Sequence, residues 1–292
     1  MRFRFVPANP TRALPRRFRR PRLLIVGCGD VGLRLLGQLA PRLRDALGIV
    51  AVTRRPGQRA AARALGARTL AADLDERRSL RRLAALAGWL VDLAPPPNTG
   101  HDDPRSAHLI AAASPALRRR RRGRTAPARW VYVSTTGVYG DCAGAAFDET
   151  RPIAPASARA IRRAAAERRM RALAATGAAR VSILRAPGIL AQDRLPIERL
   201  RRGTPALADA DDVFTNHIHA DDLANAAWLA LFRGRPGRVY HAVDDSDIKM
   251  GAYFDRVADA LDLPRPPRLS REAVAAQVSP CLLYTSDAAD EE

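Results

Sequence analysis

Chemistry first becomes legible in this chain at Gly27-Cys28-Gly29-Asp30-Val31-Gly32, which follows four apolar residues and precedes apolar positions at Leu33, Leu36 and Leu39. That order reads as strand, glycine turn, helix. Without a Cβ, Gly27 can make the tight turn, Gly29 lets a pyrophosphate approach the backbone, and Gly32 lets the helix pack close to its strand. The phosphates would then sit on free N–H groups at a helix N-terminus carrying about half a positive charge. A second apolar run, residues 49–53, ends in Thr53-Arg54-Arg55. A carboxylate there would receive the adenosine ribose hydroxyls of NAD and repel a 2′-phosphate, whereas two guanidinium groups bind that phosphate in a forked geometry. The expected cofactor is therefore NADP in preference to NAD. The plainer alternatives are a glycine turn without a ligand and two ordinary surface arginines.

Further along, Thr135, Thr136 and Tyr139 follow the apolar run 130–134 and offer hydroxyls. His217 and His219 stand two apart beside Asp221 and Asp222, a spacing that invites a metal. The better reading has Asp221 or Asp222 capping a helix over residues 223–232 with the histidines facing the cleft or the core, so no metal site is expected. Arg194, Arg199, Arg201 and Arg202 lie on a short basic segment that could meet a phosphorylated or nucleotide substrate, or could face solvent.

Elements must position these groups, and the chain supplies them in alternation. Strands over 23–26, 49–53, 68–71, 89–93 and 130–134 are separated by helices from residue 30, over 57–65, over 76–86 and around 105–117. That rhythm predicts a parallel α/β sheet. Pro95-Pro96-Pro97 can continue neither a helix nor a central strand, so the chain turns there, at the sheet edge where ligands lie in doubly wound folds.

Composition bounds the rest. A chain of 292 residues can bury about three quarters of its unfolded surface. No apolar run approaches the roughly 20 residues needed to span a bilayer, so no membrane association is expected. The formal charge of +19 and the arginine run 118–122 invite a nucleic-acid reading. Yet all but Lys249 of the 49 basic residues are arginine, in an alanine- and proline-rich chain with only 5% aromatics, a pattern of codon choice more than of a binding surface. No specific nucleic-acid partner is expected. Cys28 and Cys142 form neither a metal pattern nor a disulfide framework, which fits a reducing cytoplasm. Residues 1–20 read as a basic leader, and residues 281–291 look like a translated sequencing adapter, which would set Cys281 aside.

From Val131 the chain runs V-Y-V-S-T-T-G-V-Y-G-D, followed by Leu184-Arg185-Ala186-Pro187-Gly188-Ile189, His217-Ile218-His219-Ala220-Asp221-Asp222-Leu223-Ala224 and Val239-Tyr240-His241. In this order the segments resemble the extended short-chain dehydrogenase/reductase family of nucleotide-sugar epimerases and dehydratases, over about residues 22–269. The resemblance implies a Rossmann-type doubly wound sheet over 21–188 and, within 189–280, the mixed segments of a small C-terminal substrate lobe together with a sheet-completing strand, the Val239 segment being similar to a small-domain strand. It also implies that the amides of Asp30 and Val31, with Gly27, Gly29 and Gly32, hold the pyrophosphate, that Asp73 and Leu74 border the adenine, that Leu93, Ala94 and Pro95 line the cofactor cleft, and that Pro187, Gly188 and Ile189 lie against the carboxamide. Thr135 falls on the catalytic Ser/Thr position. Family members dimerise often, so a homodimer is an expectation.

The resemblance then breaks. In the active-site helix Pro155, Ser157 and Glu167 keep the frame, but the tyrosine falls on Arg159 and the lysine on Arg163. Arginine does not release a proton at working pH, although Arg163 could still hold ribose hydroxyls. Tyr139 is the candidate replacement acid, more readily read as a packed residue. The expectation is a cytoplasmic NADP-dependent oxidoreductase of the atypical extended type acting on a sugar-like or small carbonyl compound, with a non-catalytic NADP-binding sensor or partner-binding protein as the alternative.

Overall fold

A computed structural model describes residues 21–43, 46–85, 88–121, 126–142 and 144–277; the leader, the adapter-like end and Arg122 lie outside them. The chain runs through β1 (Arg22–Val26), α1 (Asp30–Leu43), β2 (Gly48–Val52), α2 (Pro56–Ala64), β3 (Arg68–Leu70), β4 (Trp89–Asp92), α3 (Pro104–Arg121), β5 (Ala128–Thr135), α4 (Ala158–Ala175) and β6 (Ala179–Ala186). It continues through β7 (Gly188–Leu190), α5 (Ile197–Arg201), β8 (Ala206–Leu207), β9 (Phe214–Thr215), β10 (His217–His219), α6 (Ala220–Arg233) and β11 (Val239–His241). The last elements are β12 (Ile248–Lys249), α7 (Met250–Ala260), β13 (Arg268–Leu269) and α8 (Arg271–Ala275).

Seven strands form one parallel sheet in the order β11-β6-β5-β4-β1-β2-β3. The apolar run 23–26 has no polar face because both sides of β1 are covered, as parallel sheets require. Successive side chains alternate between two cores. Leu23 and Ile25 pack with Leu35, Leu36 and Leu39 of α1 and Leu223 of α6. Leu24 and Val26 pack with Leu109 of α3 and Met170 of α4 on the other side. The chain winds outward from β1 through β2 to β3, then returns to place β4 on the opposite flank of β1. The C-terminal ends of β1 and β4 therefore form the topological switch point, where a crevice opens.

After β6 the chain builds small two-stranded pairings, β7 with β10, β9 with β12 and β8 with β13, around a separate core that joins Leu200 of α5 to Phe254 and Val257 of α7. β11 is an exception, since it pairs with β6 and completes the edge of the large sheet instead of joining the small lobe.

Two sequence expectations are corrected here. Residues 76–86 were expected to be helical, but only a 3-10 stretch, Ser79–Ala85, forms. Ser79 Oγ accepts from the Asp73 amide at 2.9 Å and lies 2.8 Å from the carbonyl oxygens of both Asp73 and Glu76, folding the segment back on itself. Helix α6 is capped by His219, whose Nδ1 accepts from the Asp221 amide at 3.3 Å, and not by Asp221 or Asp222. The Asp221 carboxylate is turned instead to Arg34, 3.1 Å away on α1.

Candidate functional site

The crevice at the switch point is a cleft of about 730 Å³. Its floor is the glycine turn, and each glycine there answers a separate demand. Gly27 has φ +70°, and a Cβ on it would lie 2.6 Å from the Ala94 backbone, so no L side chain fits. At Gly32 a Cβ would press on Cys28 Sγ at 3.1 Å and Ile25 Cγ2 at 3.2 Å, where α1 closes on β1. Gly29 faces the open cleft, with nothing nearer to a Cβ than Gln58 Nε2 at 3.6 Å. The first-turn amides of α1, which no helix bonds internally, open onto this space. Cys28 sits beneath the turn, fully buried, and burial pushes its thiol up to about 11, so it is a packing residue and not a nucleophile.

One flank of the cleft follows β2. Thr53, Arg54 and Arg55 all line the cleft, and so do Asp73 and Leu74. Thr53 Oγ1 donates to Gln58 Oε1 at 2.6 Å and accepts from the Arg55 amide at 3.3 Å, fixing the start of α2. Arg54 makes an exposed ion pair with Asp73 at 3.4 Å, an arrangement solvent weakens and a competing phosphate can displace. Arg105 is a wall residue that sequence reasoning missed. Its guanidinium holds Asp75 through bonds of 2.8 and 2.6 Å and donates to Pro95 and Pro96 carbonyls at 2.9 and 3.2 Å, which pins the triproline turn.

Leu93, Ala94 and Pro95 form one side of the far end, and Pro187 and Ile189 the other. Gly188 does not reach the wall; it pairs with His217 where β7 meets β10. Of the basic segment, Arg194 alone faces the cleft, with Nε 3.2 Å from Asp30 Oδ2, close enough for attraction but without hydrogen-bond alignment. Arg199 instead donates to the Pro205 carbonyl at 2.7 Å, and Arg201 pairs with Glu198.

Beneath this end lies a buried polar cluster that sequence reasoning did not find. Arg163, 7% exposed, reaches from α4 to the cleft wall, where it is among the lining residues, and donates through Nη1 to the Val133 carbonyl at 2.9 Å, the Tyr132 hydroxyl at 3.0 Å and the Ala94 carbonyl at 3.3 Å. Asp92 and Asp103 are the carboxyls whose charge acts on it. Burial pushes the Asp92 carboxyl up to about 7, outweighing the hydrogen bond it accepts from the Ala94 amide. The available signal was a carboxylate ending the apolar strand 89–92.

Thr135 ends β5 on the cleft wall. Its Oγ1 accepts from the Gly137 amide at 3.2 Å, which leaves the hydroxyl hydrogen to donate. Ser134 beside it is 3% exposed, and its Oγ has no partner among the described residues. Arg159 lines the same end.

Tyr139, expected as a replacement acid, does not line the cleft. Its hydroxyl lies 2.7 Å from His241 Nε2, its ring packs edge-on against Phe147, and Arg185 stacks over it at 4.6 Å. Arg185 is held by Glu167 through two bonds of 3.0 and 2.6 Å, both side chains 2% exposed, so the glutamate that kept the family frame anchors β6 to α4. Burial raises the Tyr139 hydroxyl and lowers His241, so neither is poised to exchange a proton with the cleft. His217 is 3% exposed and packs 4.4 Å from Tyr253, while His219 is exposed at its cap. Among the described residues no group of three His, Cys, Asp or Glu could hold a metal, and no helix is long and apolar enough to cross a membrane.

Residues 24–242 match the family described as NAD dependent epimerase/dehydratase. A comparison with curated proteins found no match. Among solved structures, a functionally unknown conserved protein from Silicibacter pomeroyi is similar at 27% identity and TM-score 0.69, covering 90% of this chain and 86% of that one. The dTDP-glucose 4,6-dehydratase of Bacillus anthracis, solved with NAD, shares the fold at 16% identity and TM-score 0.68, with 88% and 90% covered. A nucleoside-diphosphate-sugar epimerase from Pseudomonas aeruginosa does so at 18% identity and TM-score 0.66, with 88% and 82% covered.

Proposed function

The chain belongs to the NAD dependent epimerase/dehydratase family, and from that premise we propose that it is an NADP-dependent oxidoreductase of the atypical extended short-chain type, acting on a sugar-like or small carbonyl substrate. A nicotinamide dinucleotide suits the residues present. The glycine turn leaves open space above Gly29, and the partnerless Ser134 hydroxyl faces the same cleft. One observation carries the preference for NADP: the wall at the end of β2 presents Thr53, Arg54 and Arg55 where a ribose-binding carboxylate would stand for NAD.

When bound, the nicotinamide supplies or accepts a hydride. The protein's own part is to orient and polarise. Thr135 donates its free hydroxyl hydrogen to the substrate oxygen, and Pro187 and Ile189 close the apolar side. Arg159 stabilises developing negative charge without giving up a proton, so water carries the proton to or from that oxygen. Sugar-nucleotide relatives support a substrate with a hydroxyl-flanked carbonyl.

A second reading is favoured by Arg159 and Arg163 standing where the family keeps its proton relay: a protein that binds NADP and senses or docks without turnover. Hydride transfer measured against a panel of nucleotide sugars and small aldehydes separates the two. Turnover that falls about a hundredfold in Thr135→Ala supports the enzyme. No turnover across the panel, with Thr135→Ala binding cofactor like the parent, supports the sensor.

A further inference from the structure

A second concavity lies away from the cleft and shares no lining residue with it. It measures about 650 Å³, within the roughly 300–1,000 Å³ of small-molecule sites. Its wall gathers Arg168 and Arg171 of α4, Arg185 of β6, Arg235 and Arg238 of the turn into β11, and Arg151 of the segment preceding α4. Two carboxylates line the same space, Glu149 and Glu167. Glu167 holds Arg185 through bonds of 3.0 and 2.6 Å, and Glu149 Oε1 accepts from the His241 amide at 2.8 Å.

Apart from Arg185, these arginines form no ion pair among the described residues. Arg151 stacks on the Phe147 ring at 4.6 Å, and Asp102 bonds Arg169 at 2.6 Å, leaving Arg168 only its more distant field. The cleft carries arginines too, but there the chain supplies carboxylates: Asp73 to Arg54, Asp75 to Arg105 and Asp30 to Arg194. Like charges held around one concavity repel, and its walls focus their combined field on whatever enters. A separate observation points to the same place. Arg185 is 2% exposed, and although Nε and Nη2 hold Glu167 and the guanidinium stacks over Tyr139, its Nη1 has no hydrogen-bond partner among the described residues. Buried polar groups nearly always have one. On the same wall the Tyr240 hydroxyl accepts from the Arg235 amide at 2.8 Å, which leaves its hydrogen to donate.

We propose that this concavity binds an oligophosphate, a small molecule carrying two or more linked phosphates, with the arginines of α4 and of the turn into β11 clasping the phosphates and the Tyr240 hydroxyl donating to one of their oxygens. The planar fork of arginine matches phosphate oxygens, and arginines on separate elements can each take a different phosphate. A singly charged anion would leave most of these guanidiniums unanswered, so linked phosphates fit the wall better than a lone carboxylate. The site stands apart from the cleft and does not depend on what reaction, if any, takes place there.

The test is calorimetric titration of inorganic pyrophosphate at fixed salt into the parent and into two paired variants, Arg168→Gln/Arg171→Gln and Arg235→Gln/Arg238→Gln. Two further pairs are controls: Arg54→Ala/Arg55→Ala on the cleft wall, and Arg77→Gln/Arg78→Gln, which are exposed and line neither space. The expected result is pyrophosphate binding that weakens about tenfold in each of the first two pairs and keeps its affinity in both controls. Weakening confined to Arg54→Ala/Arg55→Ala places the anion in the cleft and overturns the proposal. Equal weakening in Arg77→Gln/Arg78→Gln marks charge attraction without a site and overturns it as well, as does no binding in the parent. Duplex DNA that binds the parent more tightly than pyrophosphate, and loses affinity in the same two pairs, assigns the surface to a nucleic-acid backbone and overturns the small-molecule site.

Discussion

The guanidinium of Arg163 donates to the carbonyl oxygen of Val133 at 2.9 Å, across the buried gap between α4 and the end of β5. The residue standing where the family keeps a lysine thus acts as a strut in the cleft wall, bonded also to Tyr132 and the Ala94 carbonyl. Arg163→Met keeps most of the volume but leaves two carbonyls, a phenol and two nearby carboxyls without the donor. The expected loss is about 3 kcal/mol or more, read from urea unfolding. Arg163→Lys should recover part of it. A loss under about 0.5 kcal/mol in Arg163→Met would mean the cluster does not hold the cleft together.

Asp92 belongs to the same cluster and gives it a pH signature. Its carboxyl, ordinarily ionised above pH 4, is pushed up to about 7 by burial. The unfolded chain therefore releases this proton first as pH rises. The stability that Asp92 contributes as a neutral acid is full below its unfolded pKa and is lost progressively up to about pH 7. Asp92→Asn, which cannot ionise, should gain on the parent from pH 4 to pH 8 by on the order of 2–4 kcal/mol. Paired melting curves across that range check it, and a difference that does not vary with pH contradicts it.

Gly27→Ala tests the turn. A methyl group there would lie 2.6 Å from the Ala94 backbone in a conformation with φ +70°. Ala94 is itself on the cleft wall, so relief of the clash must move the wall. Loss of cofactor binding and a stability drop of several kcal/mol are expected, about 3 or more. Gly57→Ala, where nothing lies within 4 Å of the added carbon, is the matched control and should melt like the parent.

Tyr139→Phe separates packing from catalysis. The variant removes the hydroxyl that contacts His241 and keeps the ring against Phe147. A cost of about 1 kcal/mol in stability is expected, with cofactor affinity and any turnover unchanged. A selective collapse of turnover would return Tyr139 to the reaction.

Much of this was readable from the sequence because the signals are local. Gly27, Gly29 and Gly32 sit at fixed spacing after an apolar run, and the residues flanking each strand end fall on the cleft because the C-terminal ends of parallel strands share one edge. What was illegible depends on tertiary meeting. Nothing near Arg163 in sequence announces Tyr132, Asp92 or Ala94. Arg194 cannot be told from Arg199 or Arg201 until the fold turns one toward Asp30 and ties the others to Pro205 and Glu198. The helix expected over 76–86 failed because a single serine, Ser79, gathers backbone groups from Asp73 and Glu76, a competition periodicity does not register. Tyr139 looked available because the strand end was visible and His241, over a hundred residues away, was not.

If the cleft at the switch point holds a 2′-phosphorylated nicotinamide nucleotide through Arg54 and Arg55, the choice between NADPH and NADH depends on those two side chains. Fluorescence titration with NADPH and NADH, on the parent and on the Arg54→Ala/Arg55→Ala double variant, tests it most directly. The parent should bind NADPH at least about tenfold more tightly than NADH, with the difference abolished in the double variant while NADH affinity stays unchanged. Equal affinities for the two nucleotides in the parent, or binding of neither, would contradict it.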